Sequence, residues 1–213
     1  SVADLKGKTV ASTAGTSAEI VLNLVLSTAG LTQDDVKVVE MDANGCVSAM
    51  ISGQVDACAT WAPSTTTIKE QMGDNCLSLG SNGDFVDTVT FPGSFICTEE
   101  YAQEHEDILV RFGQALLKAQ DYRAPHIEEV CGWLAKEIEA DDATILATKD
   151  SGEWLTGEFI VKALAAGTLK NYYDSQQQVF VDGGRIPEKV PVENYVLFDV
   201  MQKACDAYTA AQA

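Results

Sequence analysis

Apolar and polar positions follow two rhythms along the chain. In the first, short apolar runs alternate with segments of helical period. Residues 9–11 form a short apolar strand, and 16–29 is apolar on most of its sides, which predicts a well-buried helix closed by Gly30. Residues 36–41 predict a second strand. Asp42-Ala43-Asn44 then caps a helix over about 45–52, closed by Gly53. Residues 55–60 predict a third strand, ended by Trp61-Ala62-Pro63, where Pro63 suits the first turn of a helix over 64–71. Residues 77–79 predict a fourth strand. Strand–helix alternation of this kind implies a parallel sheet with helices on its faces.

Residues 81–93, rich in Gly, Asp and Thr and ending Phe91-Pro92-Gly93, break that rhythm and read as a crossover between lobes. Residues 94–98 predict a strand, and from Glu99 on the pattern is mostly helical. Ile108, Phe112, Leu116 and Ala119 fall on one helical face. A helix over 125–139 carries Val130, Leu134 and Ile138 four apart, and Asp141-Asp142 caps another. Helices over 159–169, 172–180 and 195–208 complete the chain, with a turn at Asp182-Gly183-Gly184-Arg185-Ile186-Pro187. The expectation is an α/β lobe over 1–92, and over 93–213 a crossover strand followed by a mostly helical part.

Parallel α/β sheets place ligands at the carboxyl ends of their strands. Residues 12–17, 41–44 and 60–63 therefore meet at one edge of the first lobe. A helix start offers unpaired N–H groups and the positive end of its dipole, and a turn of Gly, Thr and Ser lets an anion approach them. The candidate ligand-binding residues are Thr13, Gly15, Thr16, Ser17, Ala18, Asp42, Asn44 and Trp61. Each has a plainer reading beside it. Gly15-Thr16-Ser17 suits an ordinary helix start, with Glu19 a solvated charge in its first turn. Asp42 and Asn44 suit caps, and Trp61 suits lobe core.

Charge narrows the partners. With 14 basic and 32 acidic residues the 213-residue chain carries −18, which argues against nucleic acid and anionic membrane surfaces. The acid is spread: 11 acids against 4 bases over 1–92, and 21 against 10 over 93–213. That distribution favours solubility as its role. No run approaches the roughly 20 apolar residues of a membrane span, and folded-type sequence begins at position 1, so no leader is expected within the chain. Six cysteines, at 46, 58, 76, 97, 131 and 205, form no C-x-x-C, and the histidines are His105 and His126. Neither a metal nor a cofactor is expected. An even cysteine count suits an oxidising compartment; buried reduced thiols suit it equally, and spacing assigns no pairing. Both histidines read as surface residues, and Tyr172 and Tyr173 as helix-packing residues.

Four stretches carry a family resemblance. They are Asp4-Leu5-Lys6-Gly7-Lys8 with Gly15-Thr16-Ser17-Ala18; Ser52-Gly53-Gln54-Val55-Asp56-Ala57 leading to Trp61-Ala62-Pro63; Glu100-Tyr101-Ala102-Gln103-Glu104-His105; and residues 172–187, continuing through Glu188-Lys189. In this order and spacing the chain resembles the aliphatic-sulfonate and taurine group of periplasmic-type solute-binding proteins of ABC importers. The resemblance implies a type II periplasmic-binding-protein-like fold with ligand between two lobes, 1–92 matching the second lobe and 93–213 the return into the first. The opening of the first lobe, roughly a hundred residues, has no counterpart. The resemblance places the ligand's anionic group at Gly15, Thr16, Ser17 and Ala18, and an aromatic cleft wall at Trp61. It implies a small anionic solute and a membrane permease as partners, an extracytoplasmic location by secretion or lipid anchor, and no catalysis. Self-association is expected if the sheet is left with an open edge. Ala62 and the segment Thr90-Phe91-Pro92-Gly93-Ser94 lack the acids that pair with a ligand amine in taurine-like relatives. Nitrate, bicarbonate and thiamine-precursor pyrimidines are ligands of related proteins. The alternatives are a sensor domain, or a thiamine-pyrimidine-type binding protein or enzyme on the same fold.

Overall fold

A computed structural model describes residues 1–150 and 152–212. The chain divides into two compact units: Ser1–Thr88 with the segment from Cys131, and Val89–Val130 with the chain from Gly152.

The first unit is built on three parallel strands, β1 (Thr9–Ser12), β2 (Lys37–Glu40) and β3 (Ala57–Ala59), in the order β2-β1-β3. Ser12 stands level with Glu40 on one side and Ala59 on the other. Successive strand residues face opposite sides. Val10 therefore joins Leu22, Leu26 and Leu31 on one face, while Ala11 joins Cys46, Ala49 and Val55 on the other. Those faces are covered by α1 (Ser17–Ser27) and α2 (Ala43–Ile51). Leu26 is fully buried, which is worth about 1.5–3 kcal/mol for a leucine. Both helices end in left-handed glycines. Gly30 (φ 67°) donates to the Ser27 carbonyl and Leu31 to Leu26; Gly53 (φ 72°) donates to Met50 and Gln54 to Ala49. This paired bonding reverses the chain within two residues and returns it to the next strand. The unit continues through α3 (Ser64–Met72).

In the second unit the helices are α4 (Glu99–Glu104), α5 (Glu106–Arg123), the start of α6 (Ile127–Glu137), α8 (Gly157–Ala165), α9 (Thr168–Asp182) and α10 (Phe198–Ala210). The rest of α6 and α7 (Asp142–Leu146) belong to the first unit. Leu117 of α5 packs with Cys205 and Tyr208 of α10 and Ile160, Val161 and Leu164 of α8. Two glycines permit this approach. A Cβ on Gly113 would lie 2.8 Å from the Ala204 Cβ, and one on Gly157 would lie 2.8 Å from the Tyr208 ring and 2.9 Å from the Leu117 carbonyl.

Four expectations are corrected. Residues 77–79 and 94–98 carry no regular secondary structure and pair with no strand among the described residues. Ladder formation needs a neighbour as well as β-prone residues, and Phe95 and Ile96 stand 72% and 95% exposed. The apolar face 108/112/116/119 does not form the core of α5, because the buried contact runs through Gly113 and Leu117. In α6 the buried residues are Cys131 and Ala135, while Leu134, and Ile138 just past its end, are exposed. Small residues let helices approach closely, so the core follows them rather than the bulkier stripe beside them. The helix expected over 159–169 stops at Ala165, where left-handed Gly167 (φ 73°) separates α8 from α9.

Candidate functional site

The carboxyl ends of β1, β2 and β3 lie side by side, and each strand runs through a short loop into the helix that follows it. This brings the starts of α1, α2 and α3 to one edge of the first unit, together with the segments holding the eight candidate residues. The loops are tied to one another. The Thr13 hydroxyl donates to the Met41 carbonyl at 2.8 Å, and the Met41 amide donates to the Ser12 carbonyl at 3.1 Å.

The three helix starts differ in how their amides are satisfied. At α2 the exposed Asp42 carboxylate accepts from the Gly45 amide at 2.7 Å, so Asp42 serves as a cap. Asn44 is exposed, and its carbonyl accepts the Ser48 hydroxyl at 3.0 Å. At α1 the residue before the helix is Thr16, yet its hydroxyl turns back to the Thr13 carbonyl at 2.7 Å and caps nothing. At α3 the preceding residue is Pro63, which has no side-chain donor or acceptor. The amides of Ser17 and Ala18 therefore have no acceptor among the described residues, as first-turn amides do when no side chain caps them.

Glu19 is not the solvated residue expected from its position. It is 8% exposed, and its carboxylate accepts from the Gly15 amide at 2.7 Å and from Gln33 Nε2 at 3.4 Å. Gly15 (φ 74°) adopts the left-handed backbone that this turn requires. The protein thus supplies its own anion to one amide of the corner and leaves those of Ser17 and Ala18 open. Ala18 is itself buried against the sheet, so its contribution is its amide. Ser12 is 2% exposed and its Oγ has no partner; Thr60 Oγ1, just past β3, is likewise buried without one. By strand alternation Ser12 shares the face of Val10, beneath α1. A buried hydroxyl without a protein partner is costly unless water or a ligand meets it. Ser12 and Thr60 lay within the edge segments but carried no signal of their own, since burial is what distinguishes them. Trp61 is 42% exposed, so it is not lobe core.

Burial raises the Cys58 thiol to about 11 and also pushes up Cys46, so both are protonated at neutral pH. All six cysteines are free. Among the described residues, no group of three His, Cys, Asp or Glu side chains could hold a metal ion, and no helix is long and apolar enough to cross a membrane. His126 Nδ1 lies 2.7 Å from the Tyr122 carbonyl, and His105 immediately precedes α5 beside the Tyr101 ring. A separate cavity of about 500 Å³ in the second unit is lined by Asp121, Thr156, Glu158, Lys162 and Tyr208. Its acids are already engaged: Asp121 by the Gly157 amide and the Tyr208 hydroxyl, and Glu158 by Lys162.

The crystal structure of the periplasmic aliphatic sulphonate binding protein SsuA from Escherichia coli superposes with a TM-score of 0.67 at 23% identity, covering 92% of this chain and 60% of that one. The fold is therefore α/β of the periplasmic-binding-protein type. The NMT1/THI5-like family model matches residues 1–129, and the chain belongs to that family. A Brucella abortus protein provisionally named as a binding protein is 34% identical over 199 residues, 93% of this chain and 62% of its own length. A Bacillus subtilis protein provisionally named as binding aliphatic sulfonates is 30% identical over 128 residues, 60% of this chain and 37% of its own. The chain spans under two thirds of the length of these relatives.

Proposed function

We propose that the chain is part of an extracytoplasmic solute-binding component of an ABC importer, and that it takes a small anionic solute of the alkanesulfonate type. The observation that carries this reading is the open start of α1: the amides of Ser17 and Ala18 have no partner among the described residues, and a buried, unpartnered Ser12 hydroxyl ends the strand that leads into them. Amides at a helix start hold a sulfonate's charge without a counter-ion. Thr13 and Thr16 hold the loop, Gly15 gives it its turn, and exposed Trp61 covers the ligand's apolar part. Asp42 and Asn44 shape the neighbouring helix start. The names of the Bacillus and Escherichia relatives support a sulfonate. With no acid at Ala62 or in residues 90–94, a plain alkanesulfonate is preferred to an amino-sulfonate. The role is binding without catalysis, and the solute is delivered to a membrane permease.

Calorimetry against ethanesulfonate, taurine, nitrate, bicarbonate and a hydroxymethylpyrimidine tests the assignment. Ethanesulfonate is expected to bind most tightly. Binding of the pyrimidine alone would overturn it. Exposed Phe95 and Ile96, and the edge strand β2 with every residue exposed, favour self-association of the chain on its own.

A further inference from the structure

The second unit holds a cation whose position the sulfonate reading does not use. Arg123 ends α5, and its Cζ lies 5.1 Å from the centroid of the Trp154 ring. Its Nε is buried and has no acceptor. One turn earlier on the same helix, Gln120 Oε1 is buried and has no donor. Residues three apart on a helix are neighbours, yet these two atoms do not bond to each other. A buried donor and a buried acceptor thus lie one helical turn apart on α5, each without a hydrogen-bond partner among the described residues.

Half of the chain's bases are tied to carboxylates, and Arg123 is not one of them. Acids outnumber bases 32 to 14, and Lys6, Lys8, Arg111, Lys162, Lys170, Lys189 and Lys203 all pair with carboxylates. Arg123 makes no ion pair among the described residues. Two acids close to it in sequence have other partners: Asp121 binds the Gly157 amide and the Tyr208 hydroxyl, and Glu129 accepts from Tyr122 at 2.8 Å. The last turn of a helix favours a cation, which accounts for the charge but leaves Nε without an acceptor. Stacking on an indole engages the face of a guanidinium and leaves the donors of its edge, the geometry of a two-point bond to an oxyanion, unused by the indole.

We propose that Arg123, Gln120 and Trp154 form a second binding site, on the second unit, for a small oxyanion that also carries a hydrogen-bond donor. Arg123 Nε and a terminal nitrogen bind two oxygens of the anion. Gln120 Oε1 accepts from the ligand's hydroxyl or ammonium. Trp154 holds the guanidinium plane.

The chain has three arginines, at 111, 123 and 185, so their Nε–H resonances can be followed separately by NMR. The probes are isethionate, which has a hydroxyl, and ethanesulfonate, which does not, each against sodium chloride at matched ionic strength. Isethionate should shift the Arg123 signal saturably and leave Arg111 and Arg185 in place. Ethanesulfonate should bind roughly fivefold more weakly, the effect of one hydrogen bond. Gln120→Leu should remove that difference. Arg123→Lys, read through the Trp154 indole N–H, should abolish both responses. Ser17→Pro should leave them unchanged, which separates this site from the corner at α1. The proposal is overturned by a shift that sodium chloride reproduces, by equal binding of the two sulfonates, by loss of the response in Ser17→Pro, or by no shift. Unchanged melting of the Gln120 and Arg123 variants excludes unfolding as the cause.

Discussion

Ser17→Pro tests the α1 corner with little structural cost. Ser17 is the first residue of α1, the position where proline is tolerated because its missing N–H has no partner within the helix. The residue before a proline must be extended, and Thr16 already is, at φ −111° and ψ 168°. The substitution therefore deletes one amide donor without bending the helix. A hydrogen bond to a charged group is worth about 1.5–3 kcal/mol, so ethanesulfonate affinity should fall about 10- to 150-fold. Stability should hold or rise by about 0.4–1 kcal/mol, because proline restricts the unfolded chain. Calorimetry and thermal melting of the same preparation read both effects. Unchanged affinity in a folded variant would refute the role of that amide. Lost affinity together with a lowered melting point would refute the claim that the local backbone accepts proline.

Three other substitutions or conditions probe the account. Glu19→Gln should lower stability by about 1 kcal/mol by weakening the charge-assisted bond to Gly15, yet tighten sulfonate binding a few-fold by removing a like charge from the corner; weaker binding would contradict this. Gly157→Ala should cost about 1–3 kcal/mol, since its Cβ would meet the Tyr208 ring and the Leu117 carbonyl, and should lower the melting temperature by a few degrees per kcal/mol. Acid should destabilise the protein. Asp56 is held below the ordinary carboxylate range first by the Thr9 amide and then by Lys8, Asp35 by the Thr32 amide and Lys6, and Glu193 by Lys170. With folded values below unfolded ones, this stabilisation is present above the unfolded pKa of about 4 and is lost as pH falls through the folded values. Melting points measured from pH 7 to pH 3 should hold to about pH 5 and then drop, and Asp56→Asn should shallow the drop.

The first unit was largely legible in the sequence because its signals are local. Strand and helix periods, Gly30, Gly53 and the Asp42 cap each act within a few residues, and the structure keeps them. Where a partner distant in sequence decides, the pattern misled. Residues 94–98 look like a strand and lack a neighbour, and the inward faces of α5 and α6 were hidden behind larger apolar residues one position away. The candidate site divides the same way. That Gly15 to Ala18 begin a helix was readable from residue types. That Thr16 turns its hydroxyl away, that Glu19 is buried, and that Ser12 lacks a partner depend on packing, and no spacing rule reports them.

The most direct test of the central claim is a backbone amide NMR titration of the 213-residue chain with ethanesulfonate. The account predicts that the amides of Ser17 and Ala18 move furthest, with Gly15 moving less because its N–H already serves Glu19. Largest shifts at the capped start of α2, or none in the first unit at saturating sulfonate, would contradict it.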